Sequence, residues 1–329
     1  MYKKLFSSFL IILAVFIIFI WFSSPWQADP VQQGPSPSPS PTPPETTSPA
    51  TTIATEITEE EAKAIAVDAF PEIVGPDTAK VRFEQMNDAL GERRSWEVDD
   101  YSADLNVEGA RHAQVWVDAA TGEIMEFAIH TGKKGRPDEP VLSEEEACAC
   151  ADEFFQGREE GAVLERRPDV SYMTYTSRLE GSKEVAGFYG VRYARLVRGV
   201  PCSGDGCDLE VDAVNGETRR FCKTWALDED RCRADTTPSI QAEEAEEHFR
   251  AYLTETYGDL PGLTIHATLL KWADRPLWTK DPSTPVPLGW EVTFDNDHYR
   301  SLTWPRNATA WVDAHTGEVF ACDYRPDLT

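Results

Sequence analysis

The chain reads as an α+β protein of three tandem small modules behind an N-terminal transmembrane helix, each module one helix packed on a three- to four-stranded antiparallel sheet. Three observations predict this. The motif Val-Asp-Ala-x-x-Gly-Glu occurs at Val117–Glu123, Val211–Glu217 and Val312–Glu318. An acidic helix start stands upstream of each copy, at Glu60-Glu61-Ala62, Glu145-Glu146-Ala147 and Glu244-Ala245. An aromatic-x-Val stretch lies between start and motif each time: Trp96-x-Val98, Tyr189-x-Val191 and Trp290-x-Val292. Self-similarity at a near-constant period marks an array of modules.

The helix starts come first in each module. Thr58 with Glu61 and Ser143 with Glu146 form capping boxes, in which the hydroxyl caps and the glutamate reaches back. The glutamates also sit at the positive end of the helix dipole. The third start departs, with Gln241 where the hydroxyl belongs. Apolar or core-compatible residues then recur at helical spacing: Ala62, Ile65, Ala66 and Ala69; Ala147, Cys150, Ala151 and Phe154; Ala245, His248, Phe249 and Tyr252. Cys150 aligns with the core position Ile65, and Cys148 with the surface position Lys63. His248 falls on the inner face, where a hydrogen-bonded core histidine is the simpler reading.

Each module closes on a hairpin. Asp118, Asp212 and Asp313 can each accept backbone N–H bonds in an Asx-type turn, and Gly122, Gly216 and Gly317 can take positive φ without steric cost. β-prone residues on both sides make this a hairpin signal. The local turn role accounts for the three aspartates without catalysis.

Together the acidic helix start, the aromatic-x-Val strand and the closing motif resemble the PepSY domain (peptidase propeptide and YpeB family). The resemblance gives modules at 56–129, 141–232 and 238–324. The middle copy, with Tyr193 through Trp225, looks like the longer variant. It departs by placing Cys202 and Cys207 around Ser-Gly-Asp-Gly, and the third copy departs by an insertion from Asp274 to Leu288. The resemblance implies an extracytoplasmic, non-catalytic module associated with peptidase propeptides and restraint of peptidases.

The N-terminus bears on location. Leu5–Phe22 is an uncharged apolar run of membrane-helix length. Lys3 and Lys4 precede it and no Lys or Arg follows before Lys63, which places the N-terminus inside and the rest outside. Residues 1–22 are therefore a cytoplasmic tip and signal anchor. A cleaved signal peptide is the competing reading, though Ser23-Ser24-Pro25-Trp26 is a poor cleavage site. Residues 23–55 form a Pro/Ser/Thr-rich stalk, extended at about 3.1 Å per residue where it is polyproline II.

The net charge is −26, all of it beyond the stalk, because Lys3 and Lys4 cancel Asp29 and Glu45. Such a surface repels phosphates and excludes nucleic acid as a partner. Among seven cysteines, Cys202 and Cys207 flank what reads as a four-residue turn, and Cys222 and Cys232 flank a short loop. Both pairs are disulfide candidates in an oxidising compartment. Cys148, Cys150 and Cys322 remain unassigned, and an odd count leaves at least one thiol over. Asn307-Ala308-Thr309 is a glycosylation sequon.

No H-E-x-x-H helix, G-x-S-x-G elbow or Walker loop occurs. Asp295-Asn296-Asp297 starts like a calcium loop but lacks the later glycine and glutamate. No cofactor or metal is expected. Two features suggest binding. Trp116 and Trp311 are out of phase with the inward Val117 and Val312, so they lie on the opposite sheet face. Trp278 sits between prolines in the insertion of the third module. Each can contact a partner or pack within the array. The expected function is that of a membrane-anchored extracytoplasmic binding protein that regulates or inhibits an envelope peptidase. The alternative is a structural or ligand-sensing envelope protein.

Overall fold

In a computed structural model, residues 56–88, 91–101, 103–158, 160–177, 183–274 and 284–328 are described. The apolar run Leu5–Phe22, the stalk and Trp278 lie outside them. No helix among the described residues is long and apolar enough to cross a membrane.

The helices form where the caps dictate. Helix α1 spans Glu59–Ala69 and α2 spans Glu144–Phe154. Thr58 Oγ1 accepts from the Glu61 N–H at 3.2 Å, and the Glu61 carboxylate accepts from the Thr58 N–H at 2.7 Å. Ser143 and Glu146 repeat this at 3.2 and 2.8 Å. A side-chain cap is worth about 1 kcal/mol. Helix α3, Ala242–Tyr257, lacks one because Gln241 makes no cap bond. It is longer and buries larger side chains, Phe249 and Leu253, where α1 buries only alanines.

Strands β1 (Lys80–Asp88), β2 (Gly91–Asp100), β3 (Arg111–Asp118) and β4 (Ile124–Thr131) follow α1 as an antiparallel meander. After α2 come β5 (Leu164–Arg166), β6 (Ser171–Ser177), β7 (Lys183–Val197), β8 (Val200–Asp212) and β9 (Thr218–Thr224). This segment therefore has five strands, more than the three or four expected. After α3 come β10 (Thr264–Trp272), β11 (Leu288–Asp295), a short helix α4 (Asp297–Ser301), β12 (Ala308–Asp313) and β13 (Val319–Cys322). Asn296 caps α4 by accepting from the Tyr299 N–H at 2.9 Å, so Asp295-Asn296-Asp297 opens a helix.

Among the described residues the strands join into one 13-stranded sheet. Its first seam is antiparallel, β4 on β9, with Phe127 opposite Phe221. Its second is a short parallel contact of β8 with β10, registered at Cys202 and Trp272. The two seams differ in packing. One apolar core unites α1, α2 and their strands, running from Ala62 and Val117 to Tyr193 and Phe221. The α3 segment has its own core around Phe249, Phe294 and Tyr299. A small third cluster bridges β8 to that segment, with Cys202, Cys232, Trp272 and Leu288. Trp272 is fully buried there and donates its indole N–H to the Val197 carbonyl at 2.8 Å.

The β7–β8 hairpin corrects one sequence expectation. It turns at Arg198-Gly199, both at positive φ (53° and 78°), as a two-residue type I′ turn requires. The Ser203–Gly206 stretch therefore lies within β8 and not at the turn, in a bulge bounded by the pairs Pro201–Leu196 and Gly206–Ala194. Cys202 and Cys207 flank this bulge, and both are free thiols. Cys207 joins the large core and Cys202 the bridging cluster. Cys222 sits on β9 opposite Asp208 and Glu126, whereas Cys232 is buried with Cys202. All seven cysteines are free thiols, so neither expected pairing forms. Cys148 also departs from expectation: it is buried, while Cys150 is half-buried.

Candidate functional site

The recurring motif builds the same junction three times. The aspartate N–H bonds to the glutamate carbonyl, at 2.8 Å for Asp118, 2.9 Å for Asp212 and 2.8 Å for Asp313. The glycine N–H returns to the aspartate carbonyl at 2.9, 3.0 and 3.0 Å. The alanine carbonyl accepts from the chain just before the helix: Ile57 to Ala119, Leu142 to Ala213 and Ile240 to Ala314. The aromatic of the middle strand closes the loop. Trp96 and Trp290 donate indole N–H groups to the carbonyls of Ile57 and Ile240 at 3.0 and 3.2 Å, and the Tyr189 hydroxyl donates to that of Leu142 at 2.9 Å.

Backbone N–H groups of the turn occupy each carboxylate. Asp118 Oδ1 accepts from the N–H groups of Ala120 and Thr121, and Asp313 Oδ1 from those of His315 and Thr316. Asn215 replaces the threonine in the middle copy, and Arg136 fills in. Its guanidinium makes a two-pronged pair with Asp212 at 2.9 and 3.0 Å, binds the carbonyls of Ala186 and Gly187, and stacks on Tyr175. The linker before α2 is thereby fastened to the second hairpin. Gly122, Gly216 and Gly317 all hold φ near +75°, and each lies under the helix residue at the equivalent position, Ile65, Cys150 or His248. His248 is thus an exposed lid on a turn and not a core histidine.

Between α1 and α2 lies a cleft of about 770 Å³. Its origin is topological. Helix α1 covers β1, β2 and β3, and α2 covers β7, β8 and β9, which leaves β4 between them. The cross-strand pair Phe127 and Phe221 forms the floor, with ring centroids 5.9 Å apart. Phe70 and Phe154 close the sides, 5.0 and 6.2 Å from the Phe127 ring. The rim is charged: Arg158 lies 4.3 Å over the Phe154 ring, Glu217 pairs with Arg111, and Glu153 is exposed. Among the described residues no cation pairs with Glu153.

The face of the sheet away from the helices is polar. His112 and His130 meet edge to face at 4.8 Å, and burial, reinforced by His112, pushes His130 down to about 4. Asp99 is pushed up to about 6, first by burial and then by Glu97 beside it. Glu97 itself is buried and held by Arg82 and Gln114. No group of three or more His, Cys, Asp or Glu suited to a metal ion occurs among the described residues.

The tryptophans divide. Trp116 is half-buried on this polar face, registered between Glu97 and Glu126. Trp311, expected as a surface anchor, is only 4% exposed, packed on Phe320 and over Gly289. Its sheet face is right and its surroundings are closed. Trp304, by contrast, stands 77% exposed, three residues before the exposed Asn307.

Two further anchors were not legible beforehand. Asp274 is buried and accepts from the backbone N–H groups of Ser203, Gly204 and Asp205 and from the Ser203 hydroxyl, at 2.7 to 3.1 Å. Successive N–H groups converging on a carboxylate form an anion nest. The small-residue run Ser-Gly-Asp-Gly was its only signal. Beside it Arg195 binds Asp205 at 3.0 Å and stacks on Trp225.

Residues 56–127, from the capping segment of α1 to the floor of the cleft, match the family described as peptidase propeptide and YPEB domain. The chain carries a PepSY domain. Residues 94–225 match the YcdB, YcdC repeated domain, which overlaps the end of the PepSY domain and runs through β9. The first seam of the sheet therefore lies inside matched sequence. Two solved structures are similar. The Bacillus megaterium YpeB C-terminal domain aligns at 12% identity and a TM-score of 0.43, covering 82% of this chain and 97% of that one. An uncharacterized protein from Eubacterium rectale aligns at 13% identity and a TM-score of 0.43, covering 80% of each. No curated protein sequence matches the chain.

Proposed function

We propose that the protein binds and restrains a peptidase, and that it does so without catalysis of its own. The observation that carries this is the PepSY domain at residues 56–127, a domain of the peptidase-propeptide type. The geometry supports it: the carboxylates of the recurring motif are committed to turn hydrogen bonds and an ion pair, which leaves no nucleophile–base arrangement around them. The threefold junction supports three tandem modules at 56–129, 141–232 and 238–324. The apolar run Leu5–Phe22, with its preceding lysines, supports an uncleaved membrane anchor that holds these modules outside the cell on the proline-rich stalk.

Capture with the purified chain from envelope extract, followed by mass spectrometry, tests the reading. A peptidase, inhibited on addition of the protein, is the expected result. Turnover of a substrate by the protein alone overturns it. Capture of cell-wall components in place of a peptidase favours a structural envelope role.

A further inference from the structure

We infer that the cleft between α1 and α2 is a peptide-binding site, and that it takes a bulky apolar side chain flanked by basic residues. The inference deepens the binding reading above and rests on it for its biological setting.

The cleft has the size of a ligand site, which typically spans about 300–1,000 Å³, and its 770 Å³ falls within that range. It opens over the single core that unites α1 and α2, and its walls come from two helices and a strand that neither helix covers. Buried Phe127 and Phe221 line the floor, and the side rings Phe70 and Phe154 remain partly accessible. An aromatic guest gains both area burial and edge-to-face contact there. A small residue keeps the space open: Ala69, at the exposed end of α1.

The rim selects charge. Glu153 is exposed and Arg111 already occupies Glu217. Arg158 on the rim lies over the Phe154 ring. The site is set in a chain of net charge −26, whose field draws cationic ligands and repels anionic ones. A basic peptide segment with one large apolar side chain satisfies floor and rim together. A fatty acid or an acidic peptide satisfies only the floor.

Calorimetric titration of the full-length protein with acetyl-Lys-Lys-Phe-Lys-Lys-amide tests this. Binding is expected, weakened about tenfold or more when alanine replaces the phenylalanine or glutamates replace the lysines. Ala69→Trp fills the cleft from an exposed helix end, and Glu153→Lys reverses the rim charge without touching the core. Both are expected to abolish most of the binding while the melting temperature holds. Equal affinity in both variants, or for the acidic peptide, overturns the site. If an envelope peptidase is captured equally by wild type and Ala69→Trp, the site fails and the restraint reading survives. If the peptide binds as stated and no peptidase is captured, the site stands and the restraint reading fails.

Discussion

The sulfur of Cys150 lies 2.9 Å from where a Cβ on Gly216 would stand. The same relation joins Ile65 to Gly122 at 3.3 Å and His248 to Gly317 at 2.9 Å. Each glycine thus meets two demands, a left-handed backbone and a helix side chain pressed against it. This is the physical content of the recurring glycine: the closing hairpin is seated against the opening helix.

Gly216→Ala therefore combines left-handed strain, about 1 kcal/mol, with overpacking of about 1–3 kcal/mol. Gly199 is a control, since it too has positive φ but nothing within 4 Å of its would-be Cβ. Gly199→Ala is expected to lose only the strain. Adding Cys150→Ala to Gly216→Ala restores the crowding part in denaturant titrations. Equal losses at the two glycines would refute the contact.

Arg136→Ala leaves Asp212 as a buried carboxylate without its cation. Breaking a buried pair of this kind costs about 3–5 kcal/mol. Arg136→Lys is expected to recover part of it, because an ammonium cannot make the two-pronged bond or serve both carbonyls. An Arg136→Ala protein as stable as wild type would show that the linker is not fastened.

Acid acts on the polar sheet face with two signs. His130, held near 4 in the folded chain, binds fewer protons folded than unfolded, so its contribution is lost as pH falls from about 6.5 toward 4. Asp99, held near 6, binds more protons folded than unfolded, so its ionisation lowers stability as pH rises from about 4 to 6. Asp99→Asn should raise the melting temperature at pH 7 and leave it nearly unchanged at pH 4. His130→Gln should flatten the acid side of the stability profile. Parallel profiles for wild type and both variants would remove the two groups from the pH dependence.

Thiol chemistry gives another measurement. Burial pushes Cys207, Cys222 and Cys232 up to about 12, so these thiols should resist alkylation in the folded chain. Unfolding without reductant should expose seven alkylatable thiols. Fewer than seven would reveal disulfides.

Trp311→Ala, which empties a closed position, should cost about 3–5 kcal/mol and leave peptide binding by the folded remainder intact. Trp116→Ala, on the half-buried polar face, should cost less. The reverse order would return Trp311 to the surface.

Local structure was legible in the sequence wherever one short segment contained its own partners. Thr58 with Glu61, Ser143 with Glu146, and the Asp-to-Gly turns are such cases, and the missing cap at Gln241 was equally plain. What depended on distant partners was not legible. Ser-Gly-Asp-Gly resembles a hairpin turn locally, yet Gly206 and Cys207 pair with Ala194 and Tyr193 and the run bulges within β8 around the distant Asp274. Trp311 was placed on the correct face by alternation alone, but only Phe320 and Gly289 reveal that the face is covered there. The cleft required knowing that β4 pairs with β9, a contact between residues about a hundred positions apart that no periodicity announces.

The two seams of the sheet also divide the molecule into unequal cooperative blocks. Where β4 meets β9, one continuous core crosses the boundary, so α1, α2 and their strands gain or lose order together. Where β8 meets β10, a small cluster around Trp272 and the Asp274 latch carry the connection. On heating, the α3 segment can therefore part from a larger block that stays folded. A ligand seated over Phe127 and Phe221 would raise the transition of that larger block alone, and leave the α3 segment melting where it did before.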